Sequence, residues 1–339
     1  MAQWGMPHTQ GILSRALSQV QPGYQQLPAD DRDHTVSYRC SVPNHPHPRV
    51  IAVVGPTAAG KSALSIALAH ELGAEVVNAD SMQLYRGMDI GTAKLTVAER
   101  EGVPHHVLDI WDVTYPANVA EYQRSARTAV ADISDRGRIP VLVGGSGLYV
   151  RAVLEDFDFP GTDPAVRARL EQEWASGAPL FDRLREKDPE AAAKILPSNG
   201  RRIVRALEVI EMTGRPFTAS LPSPAPFLDS VQIGIDADVD DRIARRVDKM
   251  WADGLLDEVR RLEKSGLRHG RTASRALGYQ QALAQLDGDL TEDEARAQTT
   301  QATKRFVRRQ RSWFRRDPRI HWLDGTSHTL LADALALAG

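Results

Sequence analysis

The sequence predicts an α/β fold: a P-loop parallel sheet covered by helices, with an inserted all-helical domain and a helical C-terminal region. Three observations carry this reading. An apolar run, Val50 to Val54, enters a glycine-containing loop and then a stretch with apolar residues at helical spacing. Strand and helix patterns then alternate to about residue 150, as parallel strands joined by crossover helices require. Beyond about Phe159 the pattern is helical, until "SVQIGIDAD" returns one strand to the sheet.

The elements follow in order. Val50 to Val54 is continuously apolar and ends at Gly55, as a strand buried on both faces does. Lys61 to Leu72 has helical spacing and is closed by Gly73. Glu75 to Asn78 gives a second strand, Asn118 to Arg136 a helix, and "RIPVLVGGSGLYV" a third strand and turn. In residues 163 to 214, Asp163-Pro164 opens one helix, "DPEAAAKI" is a second and "GRRIVRALEVIEMTG" a third, with caps typical of helix starts. "SLPSPAPF", 220 to 227, is a proline-rich connector. From Asp240 the chain is mainly helical to about Arg316, and no internal repeat is evident. The implied organisation is a disordered extension over 1–48, a core formed by 49–160 and 228–325, a helical insertion over 161–227 and a C-terminal tail over 326–339.

The 339 residues suffice for two domains or for one domain with a large insertion. A net charge of −2 excludes a global basic field, so any nucleic-acid contact must come from local patches. The single cysteine, Cys40, excludes an internal disulfide and a cysteine-rich zinc site, and suits a reducing, cytoplasmic setting. Residues 1–48 are rich in Pro, Gln, His and Ser and lack the apolar segment of a signal peptide; Asp30, Asp31 and Asp33 oppose an import signal. No run approaches ~18 uncharged apolar residues, so no membrane span is expected.

Gly55-x-x-x-x-Gly60-Lys61-Ser62 has the spacing of a phosphate-binding loop, with Thr57, Ala58 and Ala59 between the glycines. Glycines let backbone N–H groups face an anion, and the helix N-terminus adds favourable potential. Lys61 is placed to neutralise phosphate charge and Ser62 to ligate Mg²⁺. The plainer alternative is an ordinary glycine turn. An NTP hydrolase should also have an acid ending a later strand, but "PVLVGGSG" ends in glycines, and no N-K-x-D for guanine occurs. Asp80 follows "EVVNA" at the carboxyl end of its strand, the edge that faces the ligand crevice in an open α/β sheet. By position alone it is a general base, a metal ligand or a cap for the segment after it.

Six ordered blocks extend these motifs: "GPTAAGKS", "NADSMQLYRGMDIGTAK", "VPHHVLDI", "VLVGGSGLYVRAVLEDFDF", "DPEAAAKILPSNGRRIVRALEV" and "SRALGYQQ". Together they resemble the bacterial tRNA dimethylallyltransferase family, from about residue 50 to 325. The resemblance implies transfer of a dimethylallyl group from dimethylallyl diphosphate to N6 of the adenine 3′ to the anticodon of tRNA. The loop then holds a departing diphosphate, with Mg²⁺ at Ser62 and with Lys61 assisting. Asp80 matches the family's general base, which explains the missing acid on the later strand.

The same resemblance implies that Ser81, Met82 and Gln83 contact the target adenine region, and that Ser146 in "GGSG" bonds a substrate; a simple turn serves equally for each. Arg201 and Arg205 share a helix face with Arg202 nearby, on a helix the family sets against tRNA. Arg167 matches a further tRNA contact. In "SRALGYQQ", Arg275 is expected on a phosphate or base edge and Tyr279, after Gly278 and before Gln280, as a stacking face for an extruded base; the alternative is a tyrosine anchoring a helix turn. Residues 304 to 319 hold eight Arg or Lys against one Asp, with Phe306, Val307, Trp313 and Phe314 as an inward stripe and the basic faces left for phosphates. His105 and His106 are adjacent and cannot share one metal face, so they are expected in structural hydrogen bonds. The family's eukaryotic zinc-finger extension is missing, and a monomer is expected. Three other functions compete with this one: a small-molecule kinase, prenyl transfer to free adenine nucleotides, and a nucleotide-controlled RNA-binding switch. The basic helices and Asp80 speak against them.

Overall fold

The computed structural model describes residues 50–157, 159–217 and 225–339. The expectation for 1–48 and most of that for the connector lie outside the described residues.

Strand β1 (Val50–Val54) leads into helix α1 (Lys61–Leu72), and β2 (Glu75–Asn78) follows. A two-residue strand β3 (His105–His106), helix α2 (Val119–Asp135), β4 (Pro140–Gly144) and α3 (Gly147–Leu154) complete the first half of the core. After the helical segment come β5 (Ser230–Asp236), the helices α8 (Asp240–Ala252), α9 (Leu255–Lys264), α10 (Tyr279–Leu286) and α11 (Glu292–Phe314), then β6 (Ile320–Asp324) and α12 (Leu330–Ala338). The strands form one sheet in the order β3-β2-β4-β1-β5-β6, and every pairing is parallel. The expected architecture is therefore present. β1 lies inside the sheet with every residue buried, which explains its unbroken apolar sequence.

Two strands were not expected. β3 holds the two histidines, which make the structural hydrogen bonds anticipated for them: His105 Nδ1 lies 2.9 Å from the Val103 carbonyl and His106 Nε2 lies 2.6 Å from Glu75 Oε2. Burial pushes the Glu75 carboxyl up, but His106 and Arg136 outweigh it and hold the group below its ordinary value. β6 pairs along β5, Gln232 to Asp236 matching Ile320 to Asp324. Residues 326–339, expected as a tail, contain α12, which packs on α1, β5 and β6.

The helical segment comprises α4 (Pro164–Ala175), α5 (Leu180–Lys187), α6 (Pro189–Lys194) and α7 (Gly200–Thr213). Asp163 caps α4 through the Ala165 and Val166 amides, and Asn199 caps α7 through Arg202 N. These helices bury an apolar cluster of their own, including Leu170, Leu184, Ile203 and Leu207. Gly200 is required where α7 meets α4, because a Cβ there would stand 2.2 Å from the Trp174 indole. Arg167 and Arg205 do not form an open basic face. Both reach Glu208, which is 0% exposed, at 3.2 and 2.9 Å. Arg205 also donates to the carbonyls of Gly161 and Pro160 at 3.0 and 2.6 Å, fastening the entering strand of chain to α7. A buried carboxylate needs such partners, so these two arginines hold the helices together. Arg201 and Arg202 remain exposed on α7.

Candidate active site

The loop from β1 to α1 takes its shape from left-handed backbone at Ala58 and Gly60, φ 68° and 104°. Gly55 permits close approach to β5, since a Cβ there would lie 2.2 Å from the Ile235 carbonyl oxygen. The loop delivers Lys61 and Ser62 at the start of α1, beside an N-terminus without a side-chain cap. Lys61 Nζ donates to the Pro56 carbonyl at 2.7 Å. Burial pushes the Lys61 ammonium down to about 8; Asp80 opposes the shift and Arg246 adds to it. Thr57, Ala58, Gly60, Lys61, Ser62, Asn78, Asp80, Gln83, Thr92 and Arg246 line a polar cavity of about 270 Å³.

A second cavity, about 330 Å³, shares Thr57, Asp80, Thr92 and Arg246 with the first. Met82, Ile243, Val247, Met250 and Phe306 give it apolar walls, and Ser81, Ser146, Arg275 and Arg309 give it polar ones. Asp80 therefore stands at the seam between an anion-suited cradle and an apolar chamber. Its backbone is fixed by Asn78, whose Oδ1 accepts Asp80 N at 2.9 Å and whose Nδ2 donates to Asp80 O at 3.0 Å. Asp80 Oδ1 accepts Met82 N at 2.9 Å, while among the described residues nothing hydrogen-bonds Oδ2. The segment it caps is a turn and not a helix.

The other expected residues divide. Ser81 N reaches Ser146 Oγ at 3.4 Å, so both serines sit together on the second cavity. Met82 and Arg275 line that cavity, whereas Gln83 lies on the first and donates to the Thr92 carbonyl at 3.2 Å. Ala59 is buried within the loop. Tyr279 is a correction: it is 0% exposed, and its hydroxyl donates to buried Glu258, so it offers no face to a base. Gly278 takes φ 85° to start α10 and Gln280 follows on that helix; none of the three lines either cavity.

The basic 304–319 stretch is also more divided than its composition suggests. Arg311 bonds Asp236 Oδ1 at 2.9 Å and the Ala237 carbonyl at 2.5 Å, Arg315 bonds Asp236, and Lys304 bonds Asp240. Arg319 pairs with Glu155 and Asp317. Arg305, Arg308, Arg309 and Arg316 are exposed and make no ion pair among the described residues. Trp313 does not dock inward with Phe314 and Val307; it is 43% exposed and borders Gly147.

Sequence reasoning missed Arg246 and Thr92. Arg242 and Arg246 are four residues apart on α8 and share a face. Arg242 reaches the Ala58 carbonyl at 3.5 Å and Arg246 the Thr92 carbonyl at 3.4 Å. That spacing was a signal, but it resembles any solvated helix face. Thr92 is carried by a loop that Lys94 ties to Tyr85 O, Asp89 and Asp109 at 3.0, 2.6 and 2.6 Å. Among the described residues no group of three His, Cys, Asp or Glu could hold a metal. The Ser62 hydroxyl on the anion cradle nevertheless suits Mg²⁺, which binds through few protein oxygens when substrate phosphates and water complete its shell.

A phosphate loop on a parallel sheet, an acid at the end of β2 with only β4 between, glycines where a hydrolytic acid would end β4, and an apolar chamber across the acid define a P-loop group transferase. A family model described as IPP transferase matches residues 83–317, and the chain belongs to that family. It is 73% identical over 291 residues to a tRNA dimethylallyltransferase of Salinispora arenicola, covering 84% of this chain and 85% of that one. It is 68% identical over 290 residues to that of Streptomyces avermitilis, covering 84% and 93%. Among solved structures it resembles the tRNA isopentenylpyrophosphate transferase of Bacillus halodurans, with TM-score 0.63, 40% identity and coverage of 86% and 94%. It also resembles a eukaryotic dimethylallyltransferase acting on tRNA, with TM-score 0.73, 27% identity and coverage of 85% and 77%.

Proposed function

We propose that the chain transfers a dimethylallyl group from dimethylallyl diphosphate to N6 of the adenine 3′ to the anticodon in tRNA, releasing diphosphate. The observation that carries this reading is the place of Asp80 on the seam of the two cavities. The diphosphate lies on the loop against Lys61 and Arg246, and the adenine enters the apolar chamber. The N6–C1 bond forms as the C1–O bond breaks, the bonding pair leaves with diphosphate, and Asp80 takes the N6 proton. Lys61 and Arg246 act where leaving-group charge develops, so they favour the transition state over the ground state. Mg²⁺ held by Ser62 would further neutralise the diphosphate.

The target base must leave its stack, which costs a few kcal/mol and is cheapest in an anticodon loop. Arg201, Arg202, Arg275 and the exposed arginines of α11 supply phosphate contacts. The residues named at both cavities come from one chain, which supports a monomeric enzyme. The test is incubation with labelled dimethylallyl diphosphate and unmodified anticodon stem-loop RNA, beside incubation with ATP alone. Label in the RNA without ATP turnover is expected; ATP turnover without RNA labelling would overturn the reading.

A further inference from the structure

Residue 310 lies 253 positions from Thr57 of the phosphate loop, yet its side chain is part of that loop's framework. Gln310 is 5% exposed. Its Oε1 accepts the Thr57 amide at 3.0 Å, and its Nε2 donates to the Gly145 carbonyl at 2.9 Å. The primary amide both accepts and donates across the gap without charge. Gly145 makes room for it: a Cβ there would stand 2.4 Å from Gln310 Nε2. One side chain thus bolts the loop after β1 to the turn after β4, and its helix, α11, bears Phe306 and Arg309 on the second cavity.

We infer that Gln310 is a positioning residue for the diphosphate loop. Resting on the proposed function, the inference says how that loop is kept in shape. The Thr57 N–H is consumed by Gln310 and the Ala59 N–H by the Pro56 carbonyl at 3.4 Å, so the anion is held by Ala58, Gly60, Lys61 and Ser62. Thr57 itself lines both cavities, and a shift of its backbone displaces everything up to Lys61. Without the clasp, the buried Gly145 carbonyl and the half-buried Thr57 amide lose their partner and the loop is released at its first turn. Gln310 acts through the loop and touches neither substrate.

The experiment uses the full chain and Gln310→Met, which keeps the length and removes donor and acceptor. Inorganic diphosphate binding is measured by calorimetry, and Michaelis constants for dimethylallyl diphosphate and for tRNA are measured separately. The expected result is a loss of about tenfold in diphosphate affinity, the scale of one or two buried hydrogen bonds. The Michaelis constant for dimethylallyl diphosphate should rise alike, with that for tRNA unchanged. A merely structural residue would move both constants or neither. Should Gln310→Met fail to fold, Gln310→Glu keeps the acceptor for Thr57, turns an oxygen toward Gly145 O and is expected to weaken diphosphate binding too. Unchanged diphosphate affinity in a folded variant overturns the inference alone. A wild-type protein that binds no diphosphate overturns the reading of the site, and the inference with it.

Discussion

Tyr279 donates its hydroxyl to Glu258 Oε1 at 2.5 Å, and both residues are buried. Glu258 also accepts the amides of Asp89, Ile90 and Gly91 at 3.2, 2.8 and 3.4 Å. The carboxylate therefore gathers the loop that brings Thr92 to the seam between the cavities. Burial and then Glu258 hold the Tyr279 hydroxyl well above its ordinary pKa, so it remains a donor. Tyr279→Phe should cost about 1–2 kcal/mol of stability and leave tRNA affinity unchanged. Denaturant unfolding and an RNA-binding titration check both; a large loss of RNA affinity would restore a stacking role.

Glu258→Ala should be more damaging, because three backbone amides and a hydroxyl lose one acceptor. We expect about 2–4 kcal/mol of destabilisation together with lower turnover, as Thr92 loses its support. Thermal unfolding and steady-state rates on the same preparations provide the check.

Asp80→Asn keeps an oxygen for the Met82 amide, so the turn should survive. Loss of a general base should lower turnover by about 10²–10⁴-fold with tRNA affinity retained. Near-normal turnover would reduce Asp80 to a turn cap.

The depressed Lys61 pKa, about 8 against an ordinary 10.5, gives a pH dependence. In the free protein Lys61 loses its proton as pH rises through about 8, so diphosphate affinity should fall from pH 7 to pH 9. Bound anion favours the charged form, so binding near pH 8 should take up a proton. Calorimetry in buffers of different ionisation enthalpy reads this, and Lys61→Ala should flatten it. The sign for stability is opposite: the unfolded chain binds more protons between about 8 and 10.5, so this group's contribution to stability rises with pH across that window.

Arg308 and Arg309 are exposed on α11, whereas Arg311 is tied to Asp236 and the Ala237 carbonyl. Replacing the first two with Ala should weaken tRNA binding and lower the salt slope by about 0.7–0.9 for each phosphate these side chains neutralise. Arg311→Ala should instead lower stability and leave the slope unchanged. Salt titrations of stem-loop binding separate the cases. Because Arg309 also lines the second cavity, this helix does not stay clear of the phosphate loop region.

The parts of the fold that could be read from sequence are those whose signal is local. β1, α1 and β2 follow from apolar runs and glycine punctuation, and "SVQIGIDAD" gave β5 in the same way. β3 is too short to have a period, and β6 reads "IHWLD", an edge strand whose half-exposed pattern follows a basic helix. In the candidate site, the loop and Asp80 were visible because each sits at a strand end. Arg246 and Gln310 were not, since what they meet is far away in sequence. Arg205 was misread because a basic face and a buried ion cluster have the same spacing; Glu208, three residues on, was the available hint.

The sheet is closed late. β5 pairs with β1 on one side, and its other side waits for residues 320–324. During synthesis, helices α8 to α11 and then β6 must leave the ribosome before that flank of β5, with buried Ile233 and Ile235, gains a neighbour. Until then it is an apolar edge able to pair with another nascent chain. A premature stop after Arg316 would leave the glycine loop and Asp80 encoded, yet yield a protein prone to aggregate. Sensitivity to loss of residues 320–324 is thus written into the strand order.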